Sequence, residues 1–340
     1  MNFEESLIKW YNKNRRILPW REDPTPYHVY LSEAMLQQTQ VKKVLPYYER
    51  FLSVYPSIDS LSEATLEEVN LLWQGLGYYS RAKNLLEGAK SIAKLPSFPN
   101  TKEELLKIPG VGEYTAKAIL SIAFHKKEIA IDGNLIRVYS RFEEEGEKNP
   151  ILMKKKAEEF LKGVLQKEDP SSFNQALMDL GEMVCLPNGA PLCESCPLKE
   201  ACKSYKHKSQ LLYPPKKQKK ERKEVDMSVF LFCYQDEIFI HQREDKGLLA
   251  SLFEYPNIEE KRTRKAVEEH LQNEGIAFTS IIPLKKERHV FSHILWKMNP
   301  FRIEVKNKNI PYSGRWVKIK ELGTLYPMPT AFGKIKIEKE

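Results

Sequence analysis

From Phe3 to about His207, apolar residues recur at spacings of three and four, the period of a helix that buries one face. Stretches at 66–73, 78–94 and 153–165 are helix-friendly and are separated by Gly, Pro and Asn, so this span is predicted to be an all-α domain, residues 1–212. Near Pro214 and Pro215 the pattern stops. The run from Lys216 to Lys223 has no apolar face to bury and is predicted to be a basic linker over 213–224, equally suited to act as a solvated tether or to touch phosphates. After Val225 the period shortens to two. Residues 227–234 and 238–241 predict a strand pair turning at Gln235, Asp236 and Glu237; 296–305 and 315–317 predict further strands, and 264–273 a helix. Residues 225–340 therefore read as an α+β domain, with Cys233 a core residue in an apolar strand.

Composition adds a partner and a compartment. A chain of 340 residues is long for one core, which agrees with two domains. The formal charge of +8 favours nucleic acid, because clustered Lys and Arg gain affinity by releasing counterions from phosphates, although a solvated Lys-rich surface gives the same total. The first eleven residues lack the apolar stretch and small-residue cleavage site of a signal peptide, and no apolar run approaches the ~18 residues of a membrane span. The expectation is a soluble, intracellular, monomeric protein without a membrane partner, cytoplasmic or nucleoid-associated in a bacterium.

Three motifs carry candidate chemistry. Within 105–125, Ile108-Pro109-Gly110-Val111-Gly112 places a tight turn between two helical stretches. Gly110 and Gly112 permit positive φ and close approach of a ligand, and the helix that follows offers unpaired N–H groups to an anion. Asp132 stands before the helical stretch that starts at Gly133, where a carboxylate caps the helix and is held ionised by its dipole. Cys185, Cys193, Cys196 and Cys202 crowd four thiols into eighteen residues, more in keeping with a metal centre than with a disulfide framework. Zinc can use four such ligands, but two tight Cys-x-x-Cys pairs are more usual for it, and only one pair is tight here.

The turn and its flanks resemble the helix-hairpin-helix of the endonuclease III superfamily, in which an Asp in the position of Asp132 follows the hairpin. The cysteine spacing is similar to that superfamily's [4Fe–4S] loop, with seven residues rather than six in the first gap. The resemblance implies a cluster that is structural, setting basic residues such as Lys199 and Lys203 near a phosphate. Further segments extend the likeness along the chain to MutY-type adenine DNA glycosylases: Leu18-Pro19-Trp20-Arg21, the run Ser32-Glu33-Ala34 through Val41, the run Leu72-Trp73 through Arg81, and Phe173 through Gly181.

Such a resemblance implies base excision repair on double-stranded DNA containing adenine opposite 8-oxoguanine or guanine. Adenine leaves poorly until its ring is protonated, and the sugar then carries oxocarbenium charge, so two carboxyls in unlike environments are required. Glu33 is implied as the acid that protonates N7. Asp132 is implied as the anion facing the sugar, able to bond transiently to it, with Tyr114 and Asn134 positioning the pair. Apolar neighbours in Ala34-Met35-Leu36 favour a protonated Glu33. Bifunctional lyases of the superfamily carry a nucleophilic Lys where this chain has Tyr114, and a phenol cannot form a Schiff base, so the enzyme is expected to be monofunctional. Gln38 and Tyr78 are implied as the residues that wedge the gap left by a flipped base, and Arg16, Trp20 and Arg21 as lining of its pocket.

In the second part, the segment from Gly247 to Pro256 resembles the C-terminal MutT-like (Nudix-fold) domain of this family. The acidic metal-binding set of a Nudix hydrolase is broken at Glu269-His270-Leu271-Gln272-Asn273-Glu274, so nucleotide hydrolysis is not expected. Phe291-Ser292-His293 matches the family's loop that senses 8-oxoguanine, two polar side chains beside an aromatic suiting a base edge and its stack. Two rival readings remain at this level: an endonuclease III-like lyase, and a non-catalytic DNA-binding protein whose cluster senses redox state.

Overall fold

A computed structural model describes residues 2–215 and 221–337, so residues 216–220 of the expected linker lie outside the described residues. Contacts divide the chain into two compact units, Met1–Glu63 with Asn84–Gln218 and Ala64–Lys83 with Lys219–Glu340. A segment of the helical span thus groups with the C-terminal part.

The helices, in chain order, are α1 Phe3–Asn14, α2 Pro19–Glu22, α3 Pro26–Leu36, α4 Val41–Val54, α5 Ile58–Ser62, α6 Leu66–Trp73, α7 Ser80–Ile92, α8 Lys102–Leu105, α9 Glu113–Ile122, α10 Gly133–Glu143, α11 Pro150–Val164, α12 Pro170–Met183 and α13 Lys203–His207. Their starts follow local chemistry. Asn2 with Glu5 and Thr101 with Glu104 form capping boxes, while α3, α11 and α12 have Pro in the first turn, where its missing N–H costs nothing. In the first unit α1, α10, α11 and α12 close on Leu7, Leu135, Ala157, Phe173 and Leu177, each fully buried.

In the second unit the elements are β1 Lys223–Tyr234, β2 Glu237–Gln242, β3 Phe253–Glu254, β4 Asn257–Ile258, α14 Arg264–Asn273, β5 Phe278–Pro283, β6 Glu287–Val290, β7 Ile294–Val305, β8 Arg315–Lys318 and α15 Thr330–Gly333. The mixed sheet runs β3-β2-β1-β7-β5, with β4 on β1, β6 on β7 and β8 on β2. Its spine is the parallel pair β1 and β7, in register from Lys223 opposite Ile294 to Cys233 opposite Glu304. Both faces of β1 are covered. Val225, Met227, Val229, Leu231 and Cys233 meet Trp296 and Phe332 on one side, while Phe230 and Phe232 share the other core with Val267 and Leu271 of α14. The turn between β1 and β2 is one residue shorter than expected. Tyr234 pairs with Glu237, leaving Gln235 and Asp236 as the loop, with Gln235 at φ 56° to match the twist of the strands.

Candidate active site and nucleic-acid interface

A cleft of about 430 Å³ in the first unit is lined by Arg16, Trp20, Arg21, Glu33, Gln38, Tyr114, Asp132 and Asn134, together with Gln175 and Glu182. Four elements deliver these groups. Glu33 lies in the last turn of α3, whose residues from Tyr27 to Met35 are buried apart from His28, so its carboxyl is held at only 6 % exposure among apolar neighbours. Tyr114 opens α9. Asp132 is the N-cap of α10, its Oδ1 accepting the Leu135 N–H at 2.8 Å. Arg16 and Trp20-Arg21 come from the segment joining α1 to α2 and from α2 itself.

Burial, opposed by the Tyr114 hydroxyl that donates to it and reinforced by the charge of Asp132, raises the Glu33 carboxyl to about 7. Burial also raises Asp132, against hydrogen bonds from Leu135 and Asn134 and the charge of Arg137. Desolvation thus outweighs the cap in direction, while the cap and its neighbours still favour the Asp132 anion. The two carboxyls still differ in kind. Asp132 is surrounded by groups that favour its anion, since Asn134 Nδ2 donates to Oδ2 at 2.8 Å as the backbone donates to Oδ1. Glu33 has the Tyr114 hydroxyl as its hydrogen-bond donor, so fewer groups favour its anion than favour that of Asp132.

Behind Asp132 runs a chain of contacts that sequence reading did not single out. Arg137 Nη2 donates to Asn134 Oδ1 at 2.8 Å and to the Gly181 carbonyl at 2.7 Å, and its Nε donates to the Cys185 carbonyl at 2.8 Å. Arg141, one turn on, donates to Cys185 Sγ at 3.3 Å. A Cβ on Gly181 would stand 2.7 Å from the Asn134 Cβ, so this glycine lets α12 approach α10. The available signal was Gly181 itself, a poor helix former inside the last turn of α12.

The cysteine loop leaves α12 at Met183. Leu192 N–H donates to the Val184 carbonyl at 2.9 Å and closes off the longer first gap, in which Gly189 takes φ 74°. Cys193 opens a single 3₁₀ turn, and Cys185, Cys196 and Cys202 pack against the core of the unit. Among the described residues no three His, Cys, Asp or Glu side chains converge as they would around one ion. Lys199 and Lys203 pair at the surface with Glu194 and Glu143.

In the hairpin between α8 and α9, Gly110 has φ 79° and a Cβ there would meet Asn84 at 2.7 Å, so it requires glycine twice over. Gly112, expected to share that conformation, is extended at φ −97° and caps α9 with no side-chain bond, leaving open space around its α-carbon. Gln38 and Tyr78 occupy left-handed backbone at φ 56° and 51°, which turns each exposed side chain out of its turn. In the second unit, Phe291-Ser292-His293 forms the tip of the β6–β7 hairpin, closed by the Phe291 N–H on the Ile294 carbonyl at 2.8 Å. Phe291 is wedged between the rings of His289 and Trp296, 4.5 and 4.8 Å away, while Ser292 and His293 are exposed. The Ser292 hydroxyl is 2.8 Å from that of Tyr78, which belongs by its contacts to the same unit.

Residues 31–163 match the HhH-GPD superfamily of base excision DNA repair proteins and residues 228–337 the NUDIX domain. The adenine DNA glycosylase of Buchnera aphidicola subsp. Baizongia pistaciae is 35% identical, the match covering 91% of this chain and 88% of that protein. The human adenine DNA glycosylase is 32% identical over 98% of this chain and 73% of its own length. Among solved structures, a thermostable thymine-DNA glycosylase aligns with a TM-score of 0.54 at 27% identity, over 60% of this chain and 95% of that one. An endonuclease III–DNA covalent complex, at 24% identity and a TM-score of 0.52, shares the helical fold over 60% of this chain. The cleft with its paired carboxyls, the hairpin and the sheet domain thus lie in a chain that belongs to the adenine DNA glycosylase family, within the HhH-GPD superfamily of base excision repair enzymes.

Proposed function

We propose that this protein hydrolyses the N-glycosidic bond of adenine mispaired with 8-oxoguanine, or with guanine, and leaves an abasic site without cutting the strand. The observation that carries the reading is the pair of carboxyls in one cleft, Glu33 raised to about 7 and Asp132 ringed by donors to its anion. A flipped adenine receives the Glu33 proton at N7. The bond to C1′ then breaks with its electron pair passing to the base, and the Asp132 carboxylate stabilises the positive sugar. Water adds to C1′, and the proton it sheds restores Glu33. Arg16, Trp20 and Arg21 wall the cleft, Gln38 and Tyr78 fill the stack, and the hairpin at Gly110 and Gly112 with the start of α9 takes a phosphate.

Absence of strand cleavage is supported by the lining of the cleft, which among the described residues includes no lysine. The nearest one along α9, Lys117, is buried and its Nζ is 2.6 Å from Glu158 of α11. The test is a single-turnover assay on duplex DNA with adenine opposite 8-oxoguanine. Product strands should break only after alkali or heat, and Glu33→Gln should bind this DNA yet lose cleavage by at least a hundredfold, the usual weight of a positioned acid. Robust scission by the untreated enzyme, or a Glu33→Gln variant of full activity, would overturn the reading.

Four thiols on one loop fit a [4Fe–4S] cluster, supported by the guanidinium of Arg141 beside Cys185, which offsets thiolate charge. Cys185, Cys193, Cys196 and Cys202 would hold it. When bound, the group serves to stiffen the loop behind α10, and visible absorption of the purified protein distinguishes it from colourless zinc.

A further inference from the structure

One buried acid has no place in the reaction as described. Asp179, on α12, has a side chain with no solvent exposure, and its carboxylate is saturated by two arginines that wall the cleft. Oδ1 accepts from Arg16 Nε at 2.6 Å and Arg21 Nη2 at 3.0 Å, and Oδ2 from Arg21 Nη1 at 2.7 Å and the Arg16 backbone N–H at 3.2 Å. The grip on Arg21 is bidentate. Glu182, one turn along the same helix, takes Arg16 Nη1.

We propose that Asp179 is a positioning residue for base removal: it fixes the guanidiniums of Arg21 and Arg16 in the pocket wall and cancels their charge beside the Glu33 carboxyl. A guanidinium does not deprotonate at any relevant pH, so two of them in the cleft wall pull a nearby carboxyl toward its anion unless each is neutralised in place. The charge of Arg21 already acts on Glu33 in that direction. The titratable and charged groups of the cleft that holds Glu33 are Arg21 on α2, Arg16 before it, Tyr114 on α9, Asp132 at the head of α10 and Glu182 on α12, with Arg137 behind Asn134 and Asp179 behind the two arginines it ties. Arg16, Arg21 and Arg137 stand against Asp132, Asp179 and Glu182, so the site is electrically balanced when Glu33 carries its proton. Loss of the Asp179 charge leaves one cation uncompensated and favours ionised Glu33, the form that cannot donate.

The inference rests on Glu33 as the proton donor, and the experiment separates the two. Single-turnover rates on adenine opposite 8-oxoguanine are measured against pH for the full-length protein. In Asp179→Asn the decline on the alkaline side should move to lower pH by about half a unit or more, read as a roughly threefold lower rate beyond the slowing common to all pH values. Asp179→Glu, which keeps the charge, should be slower with the decline in its original place. Adding Asp179→Asn to an Arg21→Gln enzyme should lower the decline relative to Arg21→Gln alone. An unmoved decline in Asp179→Asn, or no folded Asp179 variant at all, marks Asp179 as a structural tie only and overturns the inference. If instead Glu33→Gln keeps the wild-type decline, the proton-donor reading is what fails.

Discussion

At the scale of single residues, Glu33 as the proposed acid couples activity to stability through one proton. The acid must be protonated to donate, so the cleavage rate should fall as pH rises through about 7. Tyr114 donates to the Glu33 carboxyl and favours its anion, so Tyr114→Phe should move that decline to higher pH, the opposite of Asp179→Asn. The same shift has a thermodynamic sign. Glu33 is raised from its ordinary 4.5 to about 7, so its contribution is whole below pH 4.5 and is lost as pH climbs through about 7. A neutral amide avoids that loss. Glu33→Gln should therefore match the wild type in stability near pH 4 and exceed it at pH 8, by an amount on the order of 3 kcal/mol as an upper bound; denaturant melts at the two pH values check it. The sequence showed Glu33 only through its motif, since its burial depends on packing that periodicity does not reveal. Asp179 and Arg137 were illegible for a related reason: their partners lie 163, 158 and 48 residues away, and no local pattern encodes such pairs.

Elements were read unevenly, and length and burial explain why. The span 66–73 coincides with α6 and 264–273 with α14, both amphipathic helices with Thr caps. β3 and β4, two residues each, are too short to show any period, and β5 and β6 escaped notice among the short segments before β7. The approach of α12 to α10 was equally hidden, although Gly181 hinted at it. Gly181→Ala places a methyl group against Asn134, whose amide holds Asp132. Overpacking of this kind costs roughly 1–3 kcal/mol. The expected outcome is a lower unfolding midpoint together with a cleavage rate reduced more than DNA binding, because displaced Asn134 loosens the anion. A variant with wild-type rate and midpoint would show that the helices part without disturbing Asp132.

Across the whole molecule, the residues proposed for chemistry and those proposed for recognition of the opposite base fall in different units, and the change of period near Val225 already parted the Phe291-Ser292-His293 motif from the carboxyls. What the sequence could not convey is that Tyr78, read as part of the helical span, groups with the sheet-containing unit and meets Ser292 through its hydroxyl. The exposed tip of the β6–β7 hairpin is braced from within by Phe291 between His289 and Trp296, which leaves Ser292 and His293 to present polar atoms at a fixed position. In the proposed function, polar groups so presented distinguish 8-oxoguanine from guanine by the donor and acceptor pattern of the base edge, a difference worth roughly 1–3 kcal/mol per well-placed contact. His293→Ala removes one such group without touching the cleft. Its ratio of single-turnover rates for adenine opposite 8-oxoguanine and opposite guanine, measured at subsaturating enzyme, should fall about fivefold or more, while the saturated rate on the 8-oxoguanine substrate stays within about twofold of wild type. Unchanged selectivity would remove His293 from recognition; a matching fall in both rates at saturation would place its effect on the chemistry instead.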